Sequence, residues 1–240
     1  MITELISNIN LQNKFSWEDK LFITIDIDWA HDVIIEDTLN LLEEAQASAT
    51  LLITHKTKLL SKLFNNKLFE LGIHPNFNNL LNGTAEKSLD STKVISKLLE
   101  IVPNAKCVRS HSMTQNSKLL DIFHQKQIKY DLNHFIPLES GIKLRPWKSW
   151  NGIIKVPYFW EDDIDCINNK KHNMKDLLLY EGIKVVDFHP IHIFLNTESL
   201  ERYEASRIHL NNPKELKKMR FDGYGTRSKF KELLEQIKSI

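Results

Sequence analysis

The sequence has few cysteines, almost no net charge and no long apolar run, and each of these absences excludes a class of protein. Two cysteines, Cys107 and Cys166, are too few for a disulfide framework, and neither belongs to a C-x-x-C pair. The 32 Lys and Arg residues against 31 Asp and Glu residues give a formal net charge of +1. No global electrostatic field therefore favours nucleic acid or an anionic membrane, and any partner must be recognised locally.

Membrane spans and targeting signals are missing as well. Nowhere do about 18 uncharged apolar residues follow one another. The first residues, MITELISNINLQNKF, lack a basic region followed by an apolar one. We therefore expect a cytoplasmic protein that neither inserts into a membrane nor binds nucleic acid.

What is present is enough apolar sequence for a large core. The chain has 240 residues, of which 42% are hydrophobic, and no glycine-rich or proline-rich linker divides it. We predict a single domain over residues 1–240, with its core at roughly 20–200 and a C-terminal helix from about 226.

Apolar runs of strand length alternate with segments of helical period, which is typical of βα units around a largely parallel sheet. The strands are predicted at 20–27, 49–54, 68–73, 105–110, 128–133 and 183–193. The helices are predicted at 35–46, 56–64, 91–102, 116–127 and near 172–181, with Asp90 or Ser91 as an N-cap. Residues 211–230 are predicted to form a surface loop with a lysine-rich face.

Polar, titratable residues follow the strands. Asp26 and Asp28 are two apart at the end of the first strand, so both are expected on one face, where a divalent cation would offset their repulsion. One of them could instead cap the following loop while the other pairs with a lysine. His74 ends another strand, and if Pro75 opens a helical turn, Asn78 lies on the same face as His74.

Two further strand ends carry the same kind of residue. Arg109 and His111 share one face, and Asp187, His189 and His192 interrupt a later hydrophobic run. Because ligands of parallel α/β sheets and barrels bind at the carboxyl ends of the strands, these four ends are expected to converge on one site. Carboxylate, imidazole and amide oxygen together are typical of Zn²⁺ or another first-row divalent ion.

The ordered segments TIDID, GIHPNF, VRSHS, VPYFWEDD and VDFHPIHIFLNT resemble the motifs of the polysaccharide deacetylase family, the NodB-homology carbohydrate esterases, and most of all its WbmS-like branch. The resemblance spans roughly residues 20–200. It implies an α/β fold, a distorted (β/α) barrel with largely parallel strands. It also implies a metal-dependent deacetylase, with zinc as the expected metal, that removes an N- or O-acetyl group from a sugar, an oligosaccharide or a surface-polysaccharide precursor.

The resemblance also implies roles for single residues. It places the general base at Asp26, a metal ligand at Asp28 and the arginine that organises the base at Arg109. The general acid matches His189 best, with His192 as the less favoured choice, and Asp187 is a candidate to hold the His189 ring.

The second motif departs from the family pattern of two histidines four residues apart. Here His74 is the first metal ligand, but Asn78 stands at the second position. Either Asn78 ligates through its side-chain oxygen, or another histidine such as His31 or His55 supplies the missing ligand.

Substrate contacts are expected from Trp29, His111, His192 and Trp160. Two interpretations of the acidic run at Glu161, Asp162 and Asp163 are equally good. The run is either solvated surface charge, or one of its residues orients Arg109 or contacts sugar hydroxyls.

Two other functions fit the same residues. A two-carboxylate glycosidase would use Asp26 or Asp28 opposite Glu161 or Asp162 and would need no metal. A sugar-binding or metal-binding module that has lost one ligand would bind saccharide without turnover, and Asn78 is the residue that favours it.

Overall fold

A computed structural model describes residues 1–168 and 172–238 and shows an α/β fold built on one curled sheet. The strands are β1 (Ile2–Thr3), β2 (Lys20–Asp26), β3 (Ala49–Ile53), β4 (Phe69–Ile73), β5 (Cys107–Val108), β6 (Tyr130–Asp131), β7 (Trp147–Lys148), β8 (Ile154–Lys155), β9 (Trp160–Glu161) and β10 (Lys184–Phe188). The α-helices are α1 (Asp32–Ala45), α2 (Leu60–Asn65), α3 (Asn78–Leu81), α4 (Ser91–Ile101), α5 (Ser117–Gln125), α6 (Asp162–Ile167), α7 (Met174–Leu178), α8 (Pro190–Leu195), α9 (Leu200–Ser206), α10 (Pro213–Lys218) and α11 (Thr226–Lys238).

The sheet is largely parallel, in the order β7-β8-β6-β5-β4-β3-β2-β10-β9, with β1 beside β2 and β7 antiparallel to β8. From β5 to β10 there are four strand spacings, which would be about 19 Å in a flat sheet. Arg109, just after β5, nevertheless bonds Asp187 in β10. The sheet must therefore curl into a distorted, open barrel. This confirms the predicted α/β fold, a distorted (β/α) barrel with largely parallel strands.

The first strands form where the sequence is apolar on both faces. Residues 21–26 of β2 and all of β3 are buried, as expected for parallel strands covered by helices on one side and the barrel interior on the other. The prediction of Asp90 as an N-cap is confirmed, because its side chain accepts a hydrogen bond from the Lys93 N–H at 2.8 Å.

Proline explains two of the differences between predicted and observed elements. The strand predicted over 183–193 ends at Phe188, and Pro190 opens α8, because proline has no N–H for the sheet but suits the first helical turn. The predicted loop at 211–230 contains α10, which starts at Pro213 after the cap Asn212. None of the helices in the described residues is both long and apolar enough to cross a membrane.

Candidate active site

Polar side chains from separate strand ends meet inside the curled sheet. Asp26 ends β2, His74 follows β4, Arg109 follows β5 and His189 follows β10. They line a common cavity of about 170 Å³ together with Asp28. The expected convergence at the carboxyl ends of the strands is what the structure shows.

The backbone after β2 leaves the extended conformation at Asp28. Asp28 and Trp29 have φ values of 33° and 55°, in the left-handed region that is unfavourable for residues with a side chain. Thr54 Oγ1 accepts from the Trp29 N–H at 3.0 Å, and the Ala30 N–H donates to the Ile27 carbonyl at 2.8 Å. A constrained turn therefore sets the direction of the Asp28 side chain. The prediction that Asp28 faces the site rested instead on the alternation of side chains along a strand.

Asp28, His74 and His111 form a group with the spacing of metal ligands. Asp28 Oδ1 is 3.1 Å from His74 Nε2 and 3.4 Å from His111 Nδ1, and the two ring nitrogens are 3.3 Å apart. Three ligands on one face of a tetrahedral Zn²⁺ site with Zn–N and Zn–O bonds near 2.0–2.1 Å lie about 3.3–3.4 Å from one another. The triangle matches that edge length.

The hydrogen bonding of these atoms also fits a cation. Asp28 Oδ1 is buried and makes no well-aligned hydrogen bond with any described residue. Burial alone would raise the pKa of Asp28, but the neighbouring imidazoles of His111 and His74 hold it well below its usual value. An ionised carboxylate whose inner oxygen lacks a donor is a ready ligand for a divalent metal.

Asn78 does not join this group. The helical turn expected from Pro75 does not form: residues 74–77 are non-helical, and α3 begins at Asn78 itself. The Asn76 side chain accepts from the Asn78 N–H at 2.8 Å and sets this turn. Asn78 is absent from the lining of both cavities that border the Asp28 group.

The other histidines considered for the missing ligand are engaged elsewhere. His31 caps α1 by accepting from the Val33 N–H at 3.2 Å, and His55 Nδ1 lies 2.9 Å from Thr54 Oγ1. His111, expected only to contact substrate, is the histidine that the structure brings to Asp28 and His74.

Arg109 holds the carboxylate of Asp26 in place. Its Nη1 donates to Asp26 Oδ1 at 3.0 Å and also to Asp187 Oδ1, and its Nη2 donates to Thr24 Oγ1 at 3.0 Å. The guanidinium stacks 4.3 Å above the Tyr158 ring. Burial opposes its charge, but Asp187 and Asp26 raise the pKa of Arg109 above its usual value, so it stays cationic.

His189 is oriented by Asp162. Asp162 Oδ1 is 2.7 Å from His189 Nδ1, and Asp162 Oδ2 accepts from the His189 N–H at 2.8 Å. The other ring nitrogen, Nε2, is 3.7 Å from Asp28 Oδ2 and so faces the metal-ligand group. Asp187 was the expected partner of His189, but it bonds Arg109 and Thr24.

The electrostatics around His189 favour its protonated form. Burial would lower the pKa of His189, yet Asp163 and Asp162 raise it well above its ordinary value. Asp163 also lies 2.5 Å from His192 Nε2, and His192 Nδ1 is 3.0 Å from Thr197 Oγ1.

Glu161 is a further titratable group at the site. Its burial, and to a smaller extent the charges of Asp163 and Asp26, raise the pKa of Glu161 to about 7. Glu161 Oε2 accepts a hydrogen bond from the Tyr158 hydroxyl at 3.1 Å.

Carboxyl groups are gathered closely at the site. Within the described residues, six of them lie beside Arg109 and the histidines of the site: Asp26, Asp28, Glu161, Asp162, Asp163 and Asp187. Burial raises the pKa of Glu161 to about 7 and that of Asp187 well above its usual value, so these two need not carry a charge. A divalent cation at Asp28 would offset the charge of the carboxylates that are ionised.

The expected substrate contacts divide into two sets. Trp29, His111 and His192 line a second cavity of about 390 Å³ that adjoins the first, and Trp29 is 47% exposed. Trp160 is only 2% exposed, packs against Phe188 in the core and lines neither of these two cavities, so the structure does not bring it together with the other expected contacts.

Sequence reasoning missed the roles of Asp162, Tyr158 and His111. Asp162 stood in an acidic run that had two equal interpretations, and strand alternation drew attention to Asp187 instead. The signal for His111 was its position two residues after Arg109, at a strand end already assigned to the site.

Known proteins resemble this chain in sequence and in fold. The model of the WbmS-like polysaccharide deacetylase family matches residues 23–207. The crystal structure of WbmS from Bordetella bronchiseptica, assigned as a polysaccharide deacetylase involved in O-antigen biosynthesis, is 40% identical. The match covers 98% of this chain and 97% of that one, with a TM-score of 0.93. No curated protein matches the sequence.

More distant structures share the fold. A protein from Mycobacterium smegmatis, also assigned as a polysaccharide deacetylase, is 12% identical over 97% of this chain and 93% of that one, with a TM-score of 0.51. A 4-α-glucanotransferase from Thermococcus litoralis is 11% identical over 91% of this chain and 36% of that one, with a TM-score of 0.53. The family match over most of the chain and the close similarity to WbmS lead to one conclusion: the chain belongs to the WbmS-like polysaccharide deacetylase family.

Proposed function

We propose that the protein is a metal-dependent deacetylase that hydrolyses an N- or O-acetyl group on a sugar or a surface-polysaccharide precursor. The observation that carries the proposal is the triangle of Asp28 Oδ1, His74 Nε2 and His111 Nδ1, with edges of 3.1–3.4 Å. The similarity to WbmS, which is assigned to O-antigen biosynthesis, supports a saccharide substrate. A cytoplasmic location stays a prediction.

The metal ligands in this proposal are Asp28, His74 and His111, with His111 in the place first given to Asn78. Two imidazoles and one carboxylate, with room left for further ligands, suit Zn²⁺. When bound, the cation would polarise the acyl carbonyl and lower the pKa of a water.

Asp26 is the proposed general base. Its Oδ1 is held by Arg109, and its Oδ2 lies 3.3 Å from His74 Nδ1, so the carboxylate sits beside the metal ligands without being one of them. The hydrogen bond from Arg109 fixes the carboxylate of Asp26 in a position from which it can take a proton from an attacking water.

His189 is the proposed general acid. Asp162 fixes its ring through Nδ1, which leaves Nε2 directed at the cavity to donate a proton to the departing amine or hydroxyl of the sugar. Asp26 and His189 lie close together, with a carboxylate oxygen of Asp26 within 4.8 Å of a ring nitrogen of His189.

A second candidate is the two-carboxylate glycosidase, which the raised pKa of Glu161, about 7, favours as a protonated acid. It would pair Glu161 with Asp26 or Asp28. A non-catalytic binding module is the third possibility.

The decisive experiment compares metal content and acetate release in matched variants. Elemental analysis is expected to find one divalent metal per chain in the wild type and in Asn78→Ala, but little in His111→Ala. Asp26→Asn should keep the metal and lose acetate release from acetylated sugars by about 10²-fold or more.

Each alternative gives a different result. Retention of metal in His111→Ala with loss in Asn78→Ala would refute the ligand assignment. Glycosidic cleavage that survives chelation would establish the glycosidase, and stoichiometric saccharide binding without any turnover would establish the binding module.

A further inference from the structure

The larger cavity is bordered by a segment to which no role has yet been given. The cavity of about 390 Å³ is lined at its catalytic end by Asp28 and His189, and elsewhere by residues of the segment that follows α8, namely Tyr203, Leu210 and Asn211. We propose that this segment, residues 200–211, here called the α9 wall, restricts the site to a free or terminal sugar unit, with Tyr203 as the specificity-determining residue. This inference rests on the proposed deacetylase function and concerns the size of its substrate.

The α9 wall is joined to the catalytic residues by direct packing. The ring of Tyr203 packs against the ring of His192, with centroids 4.9 Å apart. His192 is itself fixed between Asp163, 2.5 Å away, and Thr197 Oγ1, 3.0 Å away. The position of Tyr203 is therefore set by the same acidic residue that raises the pKa of His189.

The wall is also anchored on its other side. Arg202 Nη2 donates to Glu198 Oε1 at 2.7 Å, and Arg202 Nη1 donates to the Met219 carbonyl at 2.9 Å. The Arg202 guanidinium lies 4.9 Å from the centre of the Phe221 ring. These contacts attach α9 to the chain that follows α10, so the α9 wall is held in place by tertiary contacts.

Trp29 supplies another part of the lining. Its backbone is in the left-handed region, and its ring makes an edge contact with His111 at 5.2 Å between centroids. Nearly half of the Trp29 side chain stays exposed. Trp29 and Tyr203 thus offer two aromatic rings to one sugar, which is the usual way to bind its apolar faces.

The volumes favour a short substrate. About 390 Å³ is near the lower end of the 300–1,000 Å³ range of small-molecule sites, which suits one or two sugar rings. The adjoining cavity of about 170 Å³ is lined by buried Asp26 and Arg109 and has room for an acyl group and a water. A polymer bound through an internal sugar would need space for chain on both sides of that sugar.

The test uses oligosaccharides of equal length, one with its single acetyl group on the terminal sugar and one with it on the central sugar, each prepared in an N-acetyl and an O-acetyl form. For the wild type, kcat/KM for the terminal position should exceed that for the central position about tenfold or more. In Tyr203→Ala this ratio should fall towards 1, because the central sugar gains access. Ile208→Ala changes an exposed residue of the same segment outside the cavity lining and should keep the wild-type ratio.

Several results would overturn the inference. The inference is wrong if the wild type has a ratio of terminal to central kcat/KM near 1. It is also wrong if this ratio is unchanged in folded Tyr203→Ala. If Tyr203→Ala does not fold, Leu210→Ala takes its place with the same two outcomes. If neither oligosaccharide releases acetate in either form, the proposed function fails, and binding is then measured by calorimetric titration. About tenfold tighter binding of the terminally acetylated oligosaccharide would support the restriction by the α9 wall. Equal binding of the two, or no binding, would refute it.

Discussion

At the scale of single residues, the site depends on backbone conformations that the regular elements do not supply. Asp28 and Trp29 are left-handed, and so are Ser112 and Met113, which directly follow His111. Such conformations cost of order 1–3 kcal/mol each for residues with a side chain, and they persist only where the surrounding structure holds them. Two proposed metal ligands, Asp28 and His111, therefore sit within or beside strained turns, as is common at functional sites.

Asp162 provides a test of how His189 works. Asp162→Asn removes a negative charge that raises the pKa of His189, so that pKa should fall. The protonated imidazole is the active form, and activity is lost as the pH rises through its pKa. The alkaline limb of kcat/KM against pH should therefore move to lower pH in the variant, with kcat reduced by about 10²-fold.

Two controls distinguish the loss of His189 orientation from a general loss of the native structure. The metal content of Asp162→Asn should equal that of the wild type, since Asp162 is not a proposed ligand. Glu201→Gln, a change at an exposed position on α9, should leave the pH profile as it is. An alkaline limb that stays in place in Asp162→Asn would show that His189 is not the acid.

Sequence reasoning identified residues of this site when they followed a strand and matched a family motif. Asp26, Asp28, His74, Arg109 and His189 were found in that way. His111 was assigned a different role because the motif spacing pointed to Asn78. The deciding fact, that the Asn76 side chain turns the chain before α3, is a local hydrogen bond that spacing does not reveal.

At the scale of elements, buried strands were predictable and short ones were not. β2, β3 and β4 match their apolar runs closely, because a parallel strand covered on both faces needs a continuous hydrophobic segment. β5 and β6 have only two paired residues each, although six apolar-rich residues were assigned to each. Pairing at those positions is set by the curl of the sheet, which a local pattern does not encode.

The parallel bridge between Leu144 and Gly182 offers a prediction about how the chain before β10 is fixed. Gly182 has φ of 103°, and a Cβ atom there would lie 2.3 Å from the Leu144 carbonyl oxygen. Gly141 also has a positive φ, 66°, but has open space around it. Gly141→Ala should lower the free energy of unfolding by about 1 kcal/mol, from backbone strain alone.

Gly182→Ala should lower the free energy of unfolding by at least about 2 kcal/mol more than Gly141→Ala does. The reason is that the added Cβ atom must also break the bridge between residue 182 and Leu144. Denaturant unfolding of the two variants measures the difference. Equal losses would mean that the contact with Leu144 is not needed for the fold.

At the scale of the whole molecule, the curled sheet is what makes the site. It brings side chains that follow β2, β4, β5 and β10 within reach of one another and gathers six carboxyl groups around a few cations. The family resemblance predicted the barrel, but the α9 wall was not foreseen, because its contacts join Tyr203 to His192 and Arg202 to Met219 through tertiary packing. That the chain is a single domain stays a prediction.

Metal binding should therefore stabilise the entire chain. Asp28, His74 and His111 come together only on folding, so a cation binds the native state in preference to the unfolded one. At a free metal concentration of 100 times Kd the gain is about 2.7 kcal/mol. For a chain of this size this corresponds to a rise in Tm of about 5–10 °C. Calorimetry of chelator-treated protein with added Zn²⁺ should show this rise in the wild type, in Asn78→Ala and in Asp26→Asn. His111→Ala should lack it, and an equal rise there would place the cation at other residues.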